Sequence, residues 1–323
     1  MKILVTPTTF SRKRTPDAWN MLDEFADEIV LNPYDRPLTG KELVALLEGV
    51  DGYIAGVDDV SAEVIAHAPD SLKVISRYGV GYDQVDIKAC GQRGIAVTNT
   101  PEVNAESVAD LTFGLILSVA RKIAFADRQT RQGGWPRVIG TELYDKTLGI
   151  MGLGAIGKRV AKRALGFSMR VLAYDPWIDH SFCQQYQIKV SSFDEILERS
   201  DFISLHMPLT ADTRHIINSD TIARMKDGAI LVNTARGGLI DEQAVYNALK
   251  SGKLGGFGVD VYEIEPPGSS LFFELDNTVV TPHIGSSTDE AMNEMGKLAV
   301  QNLIDVLTGK ECPYIVNREY IKR

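Results

Sequence analysis

Hydrophobic positions along this chain fall into two alternating patterns. Short runs rich in β-branched residues, among them MKILVT, GYIAG, LKVISR, TLGIMG, MRVLAYD, FISLHM, GAILVNT, GGFGVDV and TVVTP, carry few polar interruptions, as strands buried on both faces do. Between many of them stand segments with helical spacing, such as ADTRHIINSDTIARM and DEQAVYNALKSGK. Strands that alternate with helices predict βαβ units and parallel sheets covered on both faces, an α/β fold. No low-complexity tract or fixed-period repeat breaks the order.

A chain of 323 residues exceeds one core of ordinary size, so two domains are expected. The first junction is placed at TNTPEVNAES, residues 98–107, where a proline-bearing turn leads into a helical pattern from about 103 to 131. The second follows TPHIGSST, where a helical run over 288–308 returns toward the first domain. This predicts one domain from residues 1–99 and 287–323 and another from 100–286.

Composition narrows the class. Apolar residues make up 44% and charged residues 24%, as in a soluble globular protein. A net charge of -9 argues against a general nucleic-acid binder, which needs a basic face, but allows a local basic pocket for a small anion. Cys90, Cys183 and Cys312 stand far apart with no C-x-x-C pair, which fits a reducing cytoplasm and indicates neither a disulfide framework nor a metal site. MKILVTPTTF reads as a strand and a turn rather than a signal peptide. The longest apolar stretch, LTFGLILSVA at 111–120, is too short to span a bilayer and is expected to be a buried helix, so no membrane partner is expected.

TLGIMGLGAIGKRV, residues 147–160, holds the first chemical signal. Its glycines follow a strand and open a helix, the setting that dinucleotide binding requires. Gly152 allows the tight turn, Gly154 lets the backbone approach a pyrophosphate, and Gly157 lets the helix pack on its strand. The N–H groups and positive dipole end at Ala155 and Ile156 then face the anion. Asp175 ends the next strand, eighteen residues past Gly157, where an acid accepts from both ribose hydroxyls and repels a 2′-phosphate. Pro176 and Trp177 follow it rather than arginine, so NAD is expected over NADP.

Three later strands end in polar residues: GAILVNTARGG delivers Arg236, GGFGVDVYEIEPP delivers Asp260 and Glu265, and NTVVTPHIGSS delivers His283. Open α/β sheets bind ligands at the carboxyl ends of their strands, so parallel neighbours here would bring all four side chains to one crevice. Arginine offers a fork of donors for a carboxylate and an adjacent carbonyl. Histidine exchanges protons near neutral pH, and a glutamate beside it orients the ring and raises its pKa. Each residue alone has an ordinary structural reading; the set at successive strand ends points to carbonyl/alcohol interconversion.

The stretches RYGVGYDQVD, GLGAIGKRVA, AYDP, SLHMPLTADTRHIIN, GAILVNTARGGLIDEQAVYNAL, GGFGVDVYEIEPP and TPHIGSST resemble the D-isomer-specific 2-hydroxyacid dehydrogenase family across nearly the whole chain. The resemblance implies two Rossmann-like lobes with parallel sheets, the cofactor domain inserted into a flavodoxin-like substrate domain. It implies Arg236, Glu265 and His283 as the catalytic set, and Asp260 near the nicotinamide amide. It further places Met207, Thr234, Ala235, Gly285 and Ser286 along the cofactor groove. Its members are usually dimers held together by the cofactor domain, so a homodimer is expected.

Within the family, SRYGVGYDQVD resembles the substrate loop of D-3-phosphoglycerate dehydrogenases. The backbone of Val80 and Gly81 would cradle the substrate carboxylate, and Arg77 would meet a phosphate or other anionic tail. The reading is therefore D-3-phosphoglycerate/3-phosphohydroxypyruvate, with glyoxylate or hydroxypyruvate reduction as the alternative. Tyr78 stands where that branch often has a small residue, and GGWPRVIGTEL looks shorter and less basic than its counterpart there. No regulatory domain is expected after residue 323. A phosphite dehydrogenase would carry lysine near Val80, and a formate dehydrogenase glutamine in place of Glu265. A non-enzymatic NAD-sensing scaffold is the reading from another class, disfavoured by the missing basic face.

Overall fold

The computed structural model describes residues 1–321 and divides into two compact units. One joins Met1–Asn104 to the described residues from Ser287 onward, and the other is Ala105–Ser286. In the first, β1 (Lys2–Val5), β2 (Glu28–Leu31), β3 (Gly52–Ala55), β4 (Val74–Arg77) and β5 (Ala96–Thr98) form a parallel sheet in the order β2-β1-β3-β4-β5. This is the doubly wound order of flavodoxin-like domains. Helices Pro16–Phe25 and Asp289–Leu307 cover one face, crossing so closely that a Cβ on Gly296 would lie 2.7 Å from the Ala18 Cβ. Leu43, Leu47, Val64 and Ile65 fill the other.

In the second unit, β6 (Thr147–Met151), β7 (Arg170–Tyr174), β8 (Lys189–Val190), β9 (Phe202–Leu205), β10 (Ala229–Asn233), β11 (Leu254–Val259) and β12 (Thr278–Val280) are again all parallel. Their order, β12-β11-β10-β9-β6-β7-β8, reverses direction between β6 and β9, the switch point beside which open sheets bind nucleotides. Strands β6, β9 and β10 are buried at every position, which explains their unbroken apolar runs. Helix Ala105–Ala120 packs Leu115 and Val119 directly against Gly258 and Gly256 of β11, where a Cβ would meet them at 3.0 and 2.4 Å.

Two expected helices differ. The pattern over 103–131 is two helices, Ala105–Ala120 and Ile123–Arg131, because Lys122 adopts a left-handed backbone (φ 55) between them. The break involves neither proline nor glycine, so hydrophobic spacing runs through it unmarked. In ADTRHIINSDTIARM only Ser219–Arg224 is helical. Upstream, Thr210 and Thr213 bond to each other's backbone, and the His215 and Ile217 N–H groups reach Gly238 and Leu239. These local and long-range acceptors compete with a helix. The stretch LTFGLILSVA does lie within one buried helix.

Candidate active site

The turn after β6 is built from its glycines. Gly152 has φ +96, and a Cβ on it would meet the His206 carbonyl at 2.6 Å. A Cβ on Gly157 would lie 2.1 Å from the Gly152 oxygen, so the helix Ala155–Gly166 can begin this close to β6 only with glycine there. Gly154 differs: nothing lies within 4 Å of its hypothetical Cβ. It caps the helix without a side-chain bond, which leaves the first-turn N–H groups beside open space. Asp175 accepts from the Leu153 N–H at 2.7 Å and the Trp177 N–H at 2.8 Å, tying the end of β7 to the glycine turn. An open cradle at a helix N-terminus beside an oriented carboxylate fits a dinucleotide's pyrophosphate and ribose.

On the other side of the switch point, β10, β11 and β12 are parallel neighbours, and their ends carry the polar set. Asn233 ties the turn after β10, with Ala235 N–H donating to its Oδ1 at 3.0 Å and its Nδ2 donating to the Arg236 carbonyl at 2.8 Å. Arg236 follows in extended backbone, and Nη1 donates to the Ala235 carbonyl. Gly237 then packs under the loop from β11, since a Cβ there would sit 1.9 Å from the Tyr262 carbonyl carbon. Glu265 on that loop accepts from the Tyr262 N–H at 2.9 Å through Oε1 and meets His283 Nδ1 at 2.6 Å through Oε2. His283 itself has φ 53, a conformation uncommon outside glycine, which its N–H bond to the Asp260 carbonyl at 2.9 Å helps hold.

The electrostatics of this pair are reciprocal. The bond to Glu265 raises the His283 imidazole above its ordinary pKa, against the effect of burial, and the charges of Glu265 and Asp260 add to the rise. Burial pushes the Glu265 carboxyl up, but the bonds to His283 and Tyr262 and the charge of Arg236 hold it below its ordinary value. Both residues are partly open, with His283 44% exposed, so the ring can reach a ligand.

Other predicted positions take particular places. Asp260, fully buried, accepts from Thr281 Oγ1 at 2.7 Å and from the Ile284 and Gly285 N–H groups at 2.8 Å. Its carboxylate thus shapes the turn that carries His283 and Gly285, with Ser286 next in the chain. Thr234 pairs with Thr112 at 3.0 Å, and Met207 is buried two residues past the end of β9. In the first unit, Arg77 is 5% exposed; Nη1 donates to the Ala55 carbonyl at 2.8 Å and Nε to the Gly81 carbonyl at 3.0 Å. Tyr78 donates to the Met292 carbonyl at 2.9 Å and sets its ring edge-on to Phe10.

His206 escaped the sequence reading, although it directly follows β9 within FISLHM, near a strand end like the other polar residues. Its Nε2 meets Ser204 Oγ at 2.8 Å, and Nδ1 is buried without a partner. Burial lowers its pKa to about 3, so it is neutral at physiological pH.

Comparison with known proteins decides the family. The model of the D-isomer specific 2-hydroxyacid dehydrogenase NAD binding domain matches residues 113–285. The chain belongs to this family. A glyoxylate reductase from Korarchaeum cryptofilum is 38% identical over 98% of this chain and 97% of its own length. A D-3-phosphoglycerate dehydrogenase from Methanocaldococcus jannaschii is 42% identical over 98% of this chain, which spans 59% of that relative. The D-lactate dehydrogenase from Aquifex aeolicus, complexed with NAD and lactic acid, has TM-score 0.83 and 30% identity, covering 99% of this chain and 97% of that one. The 2-hydroxyacid dehydrogenase described here is thus an NAD-dependent oxidoreductase with two Rossmann-like units. No helix among its described residues is long and apolar enough to cross a membrane.

Proposed function

We propose that this dehydrogenase reduces a short 2-keto acid, glyoxylate or hydroxypyruvate, with His283 as proton donor, Glu265 as its orienting partner and Arg236 as the group that polarises the carbonyl. The Glu265–His283 bond at 2.6 Å carries the chemical part of this reading. NADH, when bound, supplies the hydride. Because Glu265 occupies Nδ1, the proton for the carbonyl oxygen sits on His283 Nε2. The bond to Glu265 raises the imidazole's pKa and so favours the protonated ring, and the same atom accepts a proton in the oxidative direction. Arg236 holds the guanidinium that the developing oxyanion needs.

Toward the cofactor, Gly152, Gly154, Ala155, Ile156 and Gly157 form the pyrophosphate turn, and Asp175 holds the ribose and selects NAD. Met207, Thr234, Ala235, Asp260, Gly285 and Ser286 complete the groove. In the first unit, the substrate-binding domain, the N–H groups of Val80 and Gly81 hold the substrate carboxylate.

The choice of a short substrate rests on Arg77, whose guanidinium is buried and engaged with the backbone carbonyls of Ala55 on β3 and Gly81 in its own loop rather than presented to a tail. The full-length match to a glyoxylate reductase supports the same choice. The phosphorylated substrate is the second reading, supported by the identity to a phosphoglycerate dehydrogenase. NADH absorbance with 3-phosphohydroxypyruvate, hydroxypyruvate, glyoxylate and pyruvate side by side separates them. A kcat/KM highest for the phosphorylated acid would overturn the short-substrate reading.

We further propose a cytoplasmic homodimer assembled through the cofactor unit. Helix Ile123–Arg131 has no buried residue, and Trp135 and Ile139 after it are 88% and 86% exposed, large apolar side chains that a partner would cover. Light scattering gives the mass directly, and a monomer would reject this assignment.

A further inference from the structure

The loop after β4 offers a positioning role that neither the motif nor the polar set reveals. Three consecutive carbonyls, of Gly79, Val80 and Gly81, each accept a bond from within their own unit. The Thr100 N–H reaches Gly79 at 3.1 Å, Asn99 Nδ2 reaches Val80 at 2.8 Å, and Arg77 Nε reaches Gly81 at 3.0 Å. In a trans peptide the carbonyl of one residue and the N–H of the next point in opposite directions. Pinning the Gly79 and Val80 carbonyls inward therefore turns the Val80 and Gly81 N–H groups outward. Neither N–H has a partner among the described residues, and both residues are partly exposed.

Of the two bonds that set these N–H groups, one comes from backbone and one from a side chain. That side chain is itself fixed. Asn99 is 9% exposed, and its own carbonyl accepts from Asn302 Nδ2 at 2.9 Å. Asn302 is 2% exposed, and the Cys312 Sγ lies 3.5 Å from its Oδ1. A row of buried polar groups thus runs from Cys312 through Asn302 and Asn99 to the Val80 carbonyl, at the far side of the peptide from the outward N–H.

We infer that Asn99 is a positioning residue for the 2-keto acid: its amide holds the Val80 carbonyl so that the Gly81 N–H donates to the substrate carboxylate. This rests on the reading that Val80 and Gly81 receive that carboxylate. Arg77, donating to the next carbonyl, belongs to the same device. Replacing the amide by a carboxylate sets an acceptor against an acceptor and turns the peptide.

The test is steady-state kinetics of Asn99→Asp and Asn99→Ala on glyoxylate and hydroxypyruvate, with NADH affinity followed by its fluorescence. Losing one hydrogen bond to a charged group corresponds to about a ten- to hundredfold rise in KM, larger for Asp than for Ala. The factor should be similar on both acids, which share the carboxylate, with kcat within about twofold and NADH binding unchanged, as loss of uniform binding dictates. Asn99→Ala is the milder change and keeps the test open should Asn99→Asp fail to fold. An unchanged KM in a folded variant, or a fall in kcat alone, would overturn the assignment. If instead the wild type turned over no acid on the panel, the substrate reading itself would be the one to fail.

Discussion

Gly154 and Gly157 belong to one turn, yet substituting them should do opposite things. In Gly157→Ala the new methyl would lie 2.1 Å from the Gly152 oxygen, where ordinary contact begins at 3.4 Å. The helix start or the turn must therefore move by more than an ångström, and the neighbour is backbone, which cannot rotate away. Overpacking of this kind costs roughly 1–3 kcal/mol, and we expect the upper end. For a domain of this size that is a fall in Tm of roughly 6–12 °C. In Gly154→Ala the methyl meets nothing within 4 Å, and φ of -73 suits any residue. Only the weaker capping by alanine remains, worth about 0.5–1 kcal/mol or a few degrees. Its cost should appear with the cofactor, because a methyl where a pyrophosphate approaches removes a charge-assisted bond, about a tenfold or greater rise in the NADH Kd. Thermal melting without cofactor and NADH fluorescence titration read the two effects separately. Wild-type NADH affinity in Gly154→Ala would remove the pyrophosphate from this turn, and wild-type melting in Gly157→Ala would refute the packing argument.

Asp175→Ala should relax discrimination toward NADP(H), seen as a narrowed ratio of kcat/KM for the two cofactors; equal use of both by the wild type would end the case for Asp175. Arg236→Ala should lower kcat/KM by about thirtyfold to several thousandfold, the equivalent of roughly 2–5 kcal/mol for truncating one partner of a buried charged contact, with NADH affinity little changed. Near-normal turnover would exclude it from the site. With His283 as the proposed proton donor, keto-acid reduction should hold at low pH and fall as pH rises through the raised His283 pKa, while oxidation rises over the same interval. Glu265→Gln removes the charge that raises this pKa, so both midpoints should move to lower pH; unmoved midpoints would uncouple the pair. His283→Ala should nearly abolish turnover while NADH still binds, and substantial residual activity would overturn the proton assignment.

Much of this molecule is legible in one dimension because the signals involved are local. A strand buried on both faces must be apolar throughout, so TLGIM and AILVN announce themselves. The glycine turn is equally visible, since Gly152 needs its positive φ and Gly157 its bare Cα whatever lies elsewhere in the chain. What the sequence alone left open depends on partners distant along it. Strand ends became neighbours only through the order β12-β11-β10, which brings Glu265 and His283 to 2.6 Å. The family resemblance implies a cofactor contact for Asp260, while its bonds to Thr281, Ile284 and Gly285 arise only once the next strand is laid beside its own. Arg77 looks in sequence like a charge at a strand end. The Ala55 carbonyl that receives it is 22 residues away, and only the β3–β4 pairing puts it there. The loss of helix before Asn218 has the same origin. Backbone groups there find acceptors that hydrophobic spacing does not encode, and hydrogen bonds formed across the fold outweigh a local preference of a few tenths of a kcal/mol per residue.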